Sequence, residues 1–558
     1  MGRDFVETIF RLVKADGFYT ELAALLIASV LVVLAWRYRT SPAAIGLHRL
    51  TPWLVQHAVL LTGLLTFGIA WVAVAINDPA PQVSDEFANL LLGDTLAHGR
   101  LANPPLAFSD HFFSSGVLQT PTYSSKYPPG LGFFLAIGIV LVGNPALGSC
   151  LSMALASAAC CWMFQARFQG VWPLIGGLLI AFHRQFPDKW VISFWGGQVG
   201  MLGGALVLGA SLRLIRKAHV ADAMILVVGL FVLAISRAFE GLVVSVPVLM
   251  YLGYLAIANY RSSTRAQSRS LIIAPAVLAS LCGIFILGYQ LAVTGSPFQN
   301  PHVVYSSQYL YHPEFLFLDP TQPSCKLPEY IETENQGYRD QFLFMKTIEG
   351  YRQIKLPKLA RIAMLYAGVL LSVPLLIFFI KKPCDWEWLA LVQVLLAIAC
   401  VLLTYGTFSH YVSPAAPALY ALVLAALARW SNNFGQPYWF GKKAVMSILL
   451  ACVLLTSAKI AWGLYQPPPI VSAKSWHRER QALQRKLESD GDRHLILVEY
   501  ESHRSPDWVY NSADLVNSKV IWARSLSAAS DQELIGHFQA RKIWKLHVGP
   551  DRNSLQPW

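Results

Sequence analysis

Two adjacent carboxylates, Asp85 and Glu86, open a helical pattern, Ser84-Asp-Glu-Phe-Ala-Asn-Leu-Leu-Leu. Ser84 is a good N-cap, and negative charge in the first turn is favoured by the helix dipole. The pair therefore reads equally well as ordinary capping and as a proton acceptor with a neighbour to orient it. Phe87, Leu90, Leu91 and Leu96 form an apolar stripe, which lays this helix along a membrane surface. Further on, Lys126 precedes Tyr127-Pro-Pro-Gly130. The prolines stiffen that segment, and an ammonium fixed at interface depth suits a phosphate, the bland alternative being a snorkelling lysine. Arg237 and Glu240 stand in a tight turn, Ser236-Arg-Ala-Phe-Glu-Gly241, where they either pair with each other or serve a ligand. Trp195 is followed by Gly196 and Gly197, an aromatic face beside glycines that let another group come close. Asp110, Tyr289, Thr294-Gly-Ser-Pro297, His302 and His410-Tyr411 complete the set, although a lone histidine in such a place is more often a buried hydrogen-bonding residue than a catalyst.

The elements that must position these groups are membrane helices. Of the 558 residues 55% are hydrophobic and only 14% charged, with a mean hydropathy of +0.45. A soluble chain carries about 25% charged residues. Apolar runs long enough for a hydrocarbon core predict about 12 spans, at roughly 20–36, 54–76, 146–164, 172–184, 192–214, 222–236, 241–258, 271–293, 359–380, 386–406, 411–429 and 443–463. No cleavable signal precedes them; the stretch 1–18 is of mixed charge, and 22–36 is long enough to be an uncleaved span. The stretch 131–142 is too short to cross and belongs at the interface or in a re-entrant loop.

The net charge of +12 does not point to nucleic acid. The basic residues cluster between apolar runs: Arg37/Arg39, Arg213/Arg216/Lys217, Arg261/Arg265/Arg269, Lys381/Lys382 and Lys442/Lys443. With 131–142 not crossing, all these clusters fall on the cytoplasmic side. Three long segments then lie outside: 77–145, 294–358 and the tail 464–558. Every chemistry-bearing motif above falls on that same face. The expected fold is an all-α polytopic membrane protein, a transmembrane domain over 1–463 with external juxtamembrane helices, followed by a small external α/β domain over 464–558. In the tail an amphipathic helix at 473–487 precedes strand-like runs at 494–500 and 519–523, a helix at 531–541 and a last run at 542–548. The eight cysteines make no disulfide framework; most sit inside apolar runs, and Cys325 has no evident partner.

Taken in order, Ser84-Asp-Glu, Lys126-Tyr-Pro-Pro-Gly, Arg237-x-x-Glu-Gly241, Val293-Thr-Gly-Ser-Pro297 and His410-Tyr-x-x-Pro414 resemble polytopic glycosyltransferases of the GT-C fold. The nearest branch is the bacterial one related to protein mannosyltransferases and lipid A aminoarabinose transferase. The resemblance covers roughly 50–430. The tail, with Asp507-Trp-Val-Tyr-Asn511 and Lys519-Val-Ile-Trp-Ala-Arg524, resembles the external domain of bacterial members. It implies a sugar carried on a polyprenyl phosphate and moved, outside the cytoplasm and in the plasma (inner) membrane, to an envelope acceptor: a glycan, a lipid or a protein. Asp85 is then the general base and Glu86 orients it or the acceptor, while Lys126 and Arg237 hold the carrier phosphate. Glu240, Trp195, His410, Tyr411, Tyr127 and Asp110 are substrate-binding candidates. A divalent cation, if one is used, would sit on Asp85 or Glu86. The family turn often reads Arg-Pro before its Glu, and Ala238 stands in the proline's place here.

The chemistry is coherent on its own terms. A glycosidase needs two carboxylates, one to protonate a poor leaving group. A lipid phosphate leaves as a stable anion, so one base and cations on the phosphate form a minimal set. Zinc motifs and Gly-rich nucleotide loops are absent from the sequence. Two rivals remain: a transporter or lipid flippase, which would place charged or broken helices near mid-bilayer, and a non-catalytic partner in envelope assembly.

Overall fold

The computed structural model describes residues 26–30, 47–183, 185–258, 265–378, 382–433, 439–465, 476–501, 507–549 and 553–558. Among them, eight helices are long and apolar enough to cross a bilayer, and a pair bent by 89°, Ile348–Tyr366 with Gly368–Leu376, makes a ninth. Two of the other expected spans are shorter helices, Trp172–Ala181 of 10 residues and Val220–Ala234 of 15. At 1.5 Å per residue they extend about 15 and 22 Å, short of a full crossing of about 30 Å. The first ends where the chain turns in to bury Phe186, Trp190 and Phe194, and the second at the polar Ser236-Arg237 turn. The expected span 20–36 lies outside the described residues except for 26–30, as do Arg37, Arg39, Arg261 and Lys381.

The bundle is built on close helix contacts. We label Leu47–Gln56 α1, Ala58–Asn77 α2, Ser84–Ala97 α3, Gly130–Val142 α4, Pro145–Phe164 α5, Trp172–Ala181 α6 and Gly197–Arg216 α7. α4 corresponds to the short apolar stretch and has 13 residues, about 20 Å of rise. It turns at Gly143, where φ is +67°, and folds back on α5 so closely that a Cβ on Gly148 would fall 1.9 Å from the Phe134 carbonyl oxygen. Its other side packs on α3, where Gly132 meets Leu92. At the far end of α5 and α7, Arg213 donates to the Trp162 carbonyl and lies 3.8 Å over its ring, and Arg216 donates to the Ala166 carbonyl. These arginines therefore sit at the end of the bundle opposite Asn144 and Gly197.

α3 differs from expectation in two ways. Its N-cap is Val83, in extended conformation, and Ser84 is already helical. Glu86 fulfils the capping role instead, reaching back to accept from the Val83 N–H at 3.1 Å. The helix is also buried almost all round rather than along one stripe, because the tail covers the face that a membrane surface was expected to meet.

That tail is a four-stranded sheet, β3 (His494–Tyr500), β4 (Val520–Arg524), β5 (Lys542–Val548) and β6 (Asn553–Pro557), ordered β4-β3-β5-β6. β3 runs parallel to both β4 and β5, and β6 is antiparallel to β5. A two-stranded ribbon in the first loop, Val117–Leu118 with Ser124–Ser125, takes the labels β1 and β2. The amphipathic helix runs over Trp476–Ser489, and the start expected at 473 lies outside the described residues. The second tail helix is Ala528–His537, shifted toward its Ser527 N-cap. β6 was not expected, since Asn-Ser-Leu-Gln-Pro lacks the β-branched residues that mark a strand. Arg480 pins the tail together: buried, it donates to the Trp508 and Tyr510 carbonyls and lies 4.5 Å over Trp522. Tyr510 stacks on Phe87 at 4.7 Å, the Ala513 N–H donates to Asp94 at 2.7 Å, and Arg485 forms a bidentate pair with Asp78. All eight cysteines are free.

Candidate active site

The first turn of α3, the Pro128-Pro129 turn, the aromatic loop before α7, the Arg237 turn and the segment 404–411 converge at one end of the bundle. Between them lies a cavity of about 250 Å³. Asp85, Tyr127, Trp195, Arg237, Glu240, His410 and Tyr411 all line it. Seven residues singled out across more than three hundred positions of sequence thus share one wall.

Asp85 and Glu86 part company. Glu86 turns inward and accepts from the Gln82 N–H at 2.6 Å, the Val83 N–H at 3.1 Å and the Phe194 N–H at 3.2 Å. Its carboxyl is held above the ordinary range by burial, against the pull of those donors. Both oxygens are used in tying the α3 first turn to the loop that carries Trp195. Asp85 and Tyr127 both line the cavity, and burial together with the nearby Asp85 carboxylate holds the Tyr127 phenol well above its usual range. Asn89, one helical turn later, lines the same cavity and donates to the Phe194 carbonyl at 2.9 Å.

Arg237 is half-buried. It makes a long contact of 3.4 Å to the Trp195 carbonyl and lies 5.0 Å over the Tyr411 ring. Among the described residues no ion pair joins Arg237 to a carboxylate, so of the two alternatives for this turn the Arg237–Glu240 pair does not form. The guanidinium still acts on Glu240 at longer range. Guanidinium and carboxylates face the cavity separately. The Lys126 ammonium lies 4.7 Å over Tyr305 and 5.1 Å over Tyr127, beside the cavity rather than in its wall. Buried Trp195 Nε1 and His410 Nδ1 have no hydrogen-bond partner, and the two rings lie 5.2 Å apart. Gly197 earns its place by close approach: a Cβ there would fall 2.4 Å from Trp190 Nε1.

Asp110 stands apart from this cavity. It belongs to a 3-10 turn, Ser109–Phe112, that docks on the tail, where His111 bonds the Arg524 carbonyl and Ser530. The burial of His111 and Phe112 against the sheet carries Asp110 with them. Glu314 was not anticipated, and a polar His312-Pro-Glu-Phe segment gives no signal for it. It is placed by a short ladder, Tyr405 N–H to the Glu314 carbonyl at 2.6 Å and Leu316 N–H to Leu403 at 2.9 Å, and it lines the cavity. Burial raises its carboxyl to about 7. His302, also in the wall, is pushed down to about 3 by burial and by Lys126 and Arg237, so it is neutral. Asn89 was legible as the i+4 neighbour of Asp85. Among the described residues no three of His, Cys, Asp and Glu come together as a metal site.

No protein-family model matches the chain, and no curated protein sequence does. Among solved structures, the chain is similar to ArnT from Cupriavidus metallidurans bound to undecaprenyl phosphate, with 11% identity and a TM-score of 0.48 over 88% of this chain and 93% of that one. It is also similar to the oligosaccharyltransferase AglB from Archaeoglobus fulgidus in complex with an inhibitory peptide and a dolichol-phosphate, with 13% identity and a TM-score of 0.46 over 89% and 70%. A further structure of the Archaeoglobus fulgidus oligosaccharyltransferase contains zinc and sulfate, with 13% identity and a TM-score of 0.47 over 87% and 67%.

Proposed function

We propose that this chain is a membrane glycosyltransferase that moves a sugar from a polyprenyl-phosphate carrier to an acceptor on the non-cytoplasmic face. The observation that carries the reading is the cavity itself, where an accessible carboxylate, Asp85, and a guanidinium without a carboxylate partner, Arg237, face one small space at an end of the bundle. Asp85 takes the proton of the acceptor hydroxyl as its oxygen attacks the anomeric carbon. The bond from that carbon to the phosphate oxygen breaks, and its electron pair leaves with the lipid phosphate. Arg237 stabilises the charge that develops there, with Lys126 adding to the field from behind its tyrosine rings. No protein acid is needed, because the leaving group is already a stable anion. Trp195 and His410 offer unsatisfied polar atoms to the sugar. Glu86 is a positioning residue, joining the helix of the base to the loop of Trp195.

The charged lining residues stand in the first turns of helices or just before them, not at mid-span as in a transporter. Arg213 and Arg216 at the opposite end support a cytoplasmic assignment for that end and an external one for the cavity. Purified protein in lipid nanodiscs, supplied with a polyprenyl-phosphate sugar and a mixed envelope extract, tests the reading. Sugar transfer that depends on Asp85 and Arg237 is the expected result; donor that remains intact, or that is carried across the bilayer unchanged, would overturn it.

A further inference from the structure

A second, larger cavity of about 970 Å³ lies on the other side of the α3 first turn, between that turn, the helix Glu329–Lys346 and the tail sheet. Ser84 lines it while the next residue, Asp85, lines the first cavity, so one helical turn is the wall between the two. Its surface combines aromatic side chains, among them the exposed Tyr338, with three carboxylates, Glu334, Glu501 and Asp507. Among the described residues Arg524 is the one cation in its wall, and it is immobilised: its guanidinium lies 3.8 Å over Tyr330 and 4.1 Å over Tyr500, 4.0 Å from Asp507. Its buried Nε has no hydrogen-bond partner.

Flat aromatic faces beside carboxylates match a sugar ring, which offers an apolar C–H face and a rim of hydroxyl donors. A peptide would be expected to add along the sheet's edge strand, β4. That edge is closed. Asn511 takes both the N–H and the carbonyl of Trp522, and His111 takes the Arg524 carbonyl. Among the described lining residues, three carboxylates against one guanidinium also disfavour an acidic ligand. We infer that this cavity binds the acceptor, and that the acceptor is an uncharged or amino-bearing saccharide chain rather than a phosphorylated or acidic one. The word acceptor rests on the transfer reading above; the binding does not. A saccharide lying here presents its terminal hydroxyl across the α3 first turn toward Asp85.

The test measures binding to the full-length chain in nanodiscs without donor, by tryptophan fluorescence and calorimetry. The probes are maltohexaose, the hexamers of N-acetylglucosamine and of glucosamine, oligogalacturonate, and a lysine-rich decapeptide. The neutral or amino hexamers should bind at least about tenfold more tightly than oligogalacturonate. Tyr338→Ala, which removes one stacking face, and Glu334→Gln should each weaken that binding about tenfold. Glu334→Lys, on an exposed helix face where folding is not at risk, should shift the preference toward oligogalacturonate. Arg237→Gln should leave saccharide binding unchanged. Equal or tighter binding of the acidic probe, binding of the peptide alone, or no binding of any hexamer overturns the inference. Saccharide binding in a chain that never binds a polyprenyl phosphate would instead overturn the transfer reading and leave this site standing.

Discussion

Asp85→Asn and Glu86→Gln, made separately, should fail in different ways. The Asp85 carboxylate lines the cavity beside Tyr127, and an asparagine has the same shape there. Its stability cost should stay below about 1 kcal/mol. What asparagine cannot do is accept a proton, so transfer should fall by about 10²–10⁴-fold. Glu86 presents the opposite ledger. One oxygen serves Gln82 and Val83, the other serves Phe194. Glutamine keeps a single carbonyl and turns an NH₂ toward at least one of those donors. With bonds to a charged group worth about 1.5–3 kcal/mol each, the loss is about 3 kcal/mol. Thermal unfolding in nanodiscs, hydrogen exchange over 190–197, and initial transfer rates at saturating donor measure the two effects side by side. Asp85→Asn should be stable and nearly inactive; Glu86→Gln should be less stable, with faster exchange at Phe194 and a residual rate above that of Asp85→Asn. Wild-type transfer by Asp85→Asn, or a fully stable and inactive Glu86→Gln, would refute the division of roles. Glu314 would then be the next carboxylate to test.

Arg237→Gln should raise the KM for donor about tenfold or more, and Lys126→Ala should do so less strongly and be rescued by excess donor, since its ammonium lies beside the cavity. Glu314 is neutral below about pH 7 and ionised above it. Donor affinity should therefore fall about fivefold between pH 6 and 8 as a further negative charge enters the cavity, and Glu314→Gln should flatten that profile in equilibrium binding with a sugar phosphodiester. Arg480→Met should cost about 3 kcal/mol through the loss of its bonds to Trp508 and Tyr510, read as earlier proteolysis of the tail. A single cysteine at position 216 should resist an impermeant reagent in intact cells while one at position 490 reacts; labelling at 216 from outside would reverse the topology.

Membrane spans were legible because hydrocarbon thickness imposes a length, and both ends of β3 and β5 were legible because β-rich runs stop at polar residues. The length rule also set the limit. Segments 172–184 and 222–236 are apolar enough to span, yet tertiary packing of Trp190 and the Arg237 turn ends their helices early. Gathering Asp85, Arg237 and His410 on one face followed from parity alone. Telling Asp85 from Glu86 required knowing where the Phe194 N–H lies, 108 residues away, which no local pattern encodes. That Asp110 lies away from this cavity was hidden for the same reason, since it looks like any loop aspartate until the tail claims its neighbours. Glu314 depends on a two-residue ladder to 403–405 that leaves no mark on composition.

The helix that carries Asp85 is closed on its outer side by Tyr510 and Ala513, residues made more than four hundred positions later. At about 5–20 residues per second, a ribosome takes roughly 20–80 s to travel that distance. From the point at which Arg237 has also been made, the nascent chain has its base and its guanidinium, but not the surface that closes the helix of the base. On the transfer reading proposed above, a chain stopped before residue 510 would hold these groups without the surface that closes the base's helix, and should not release sugar from its carrier into water.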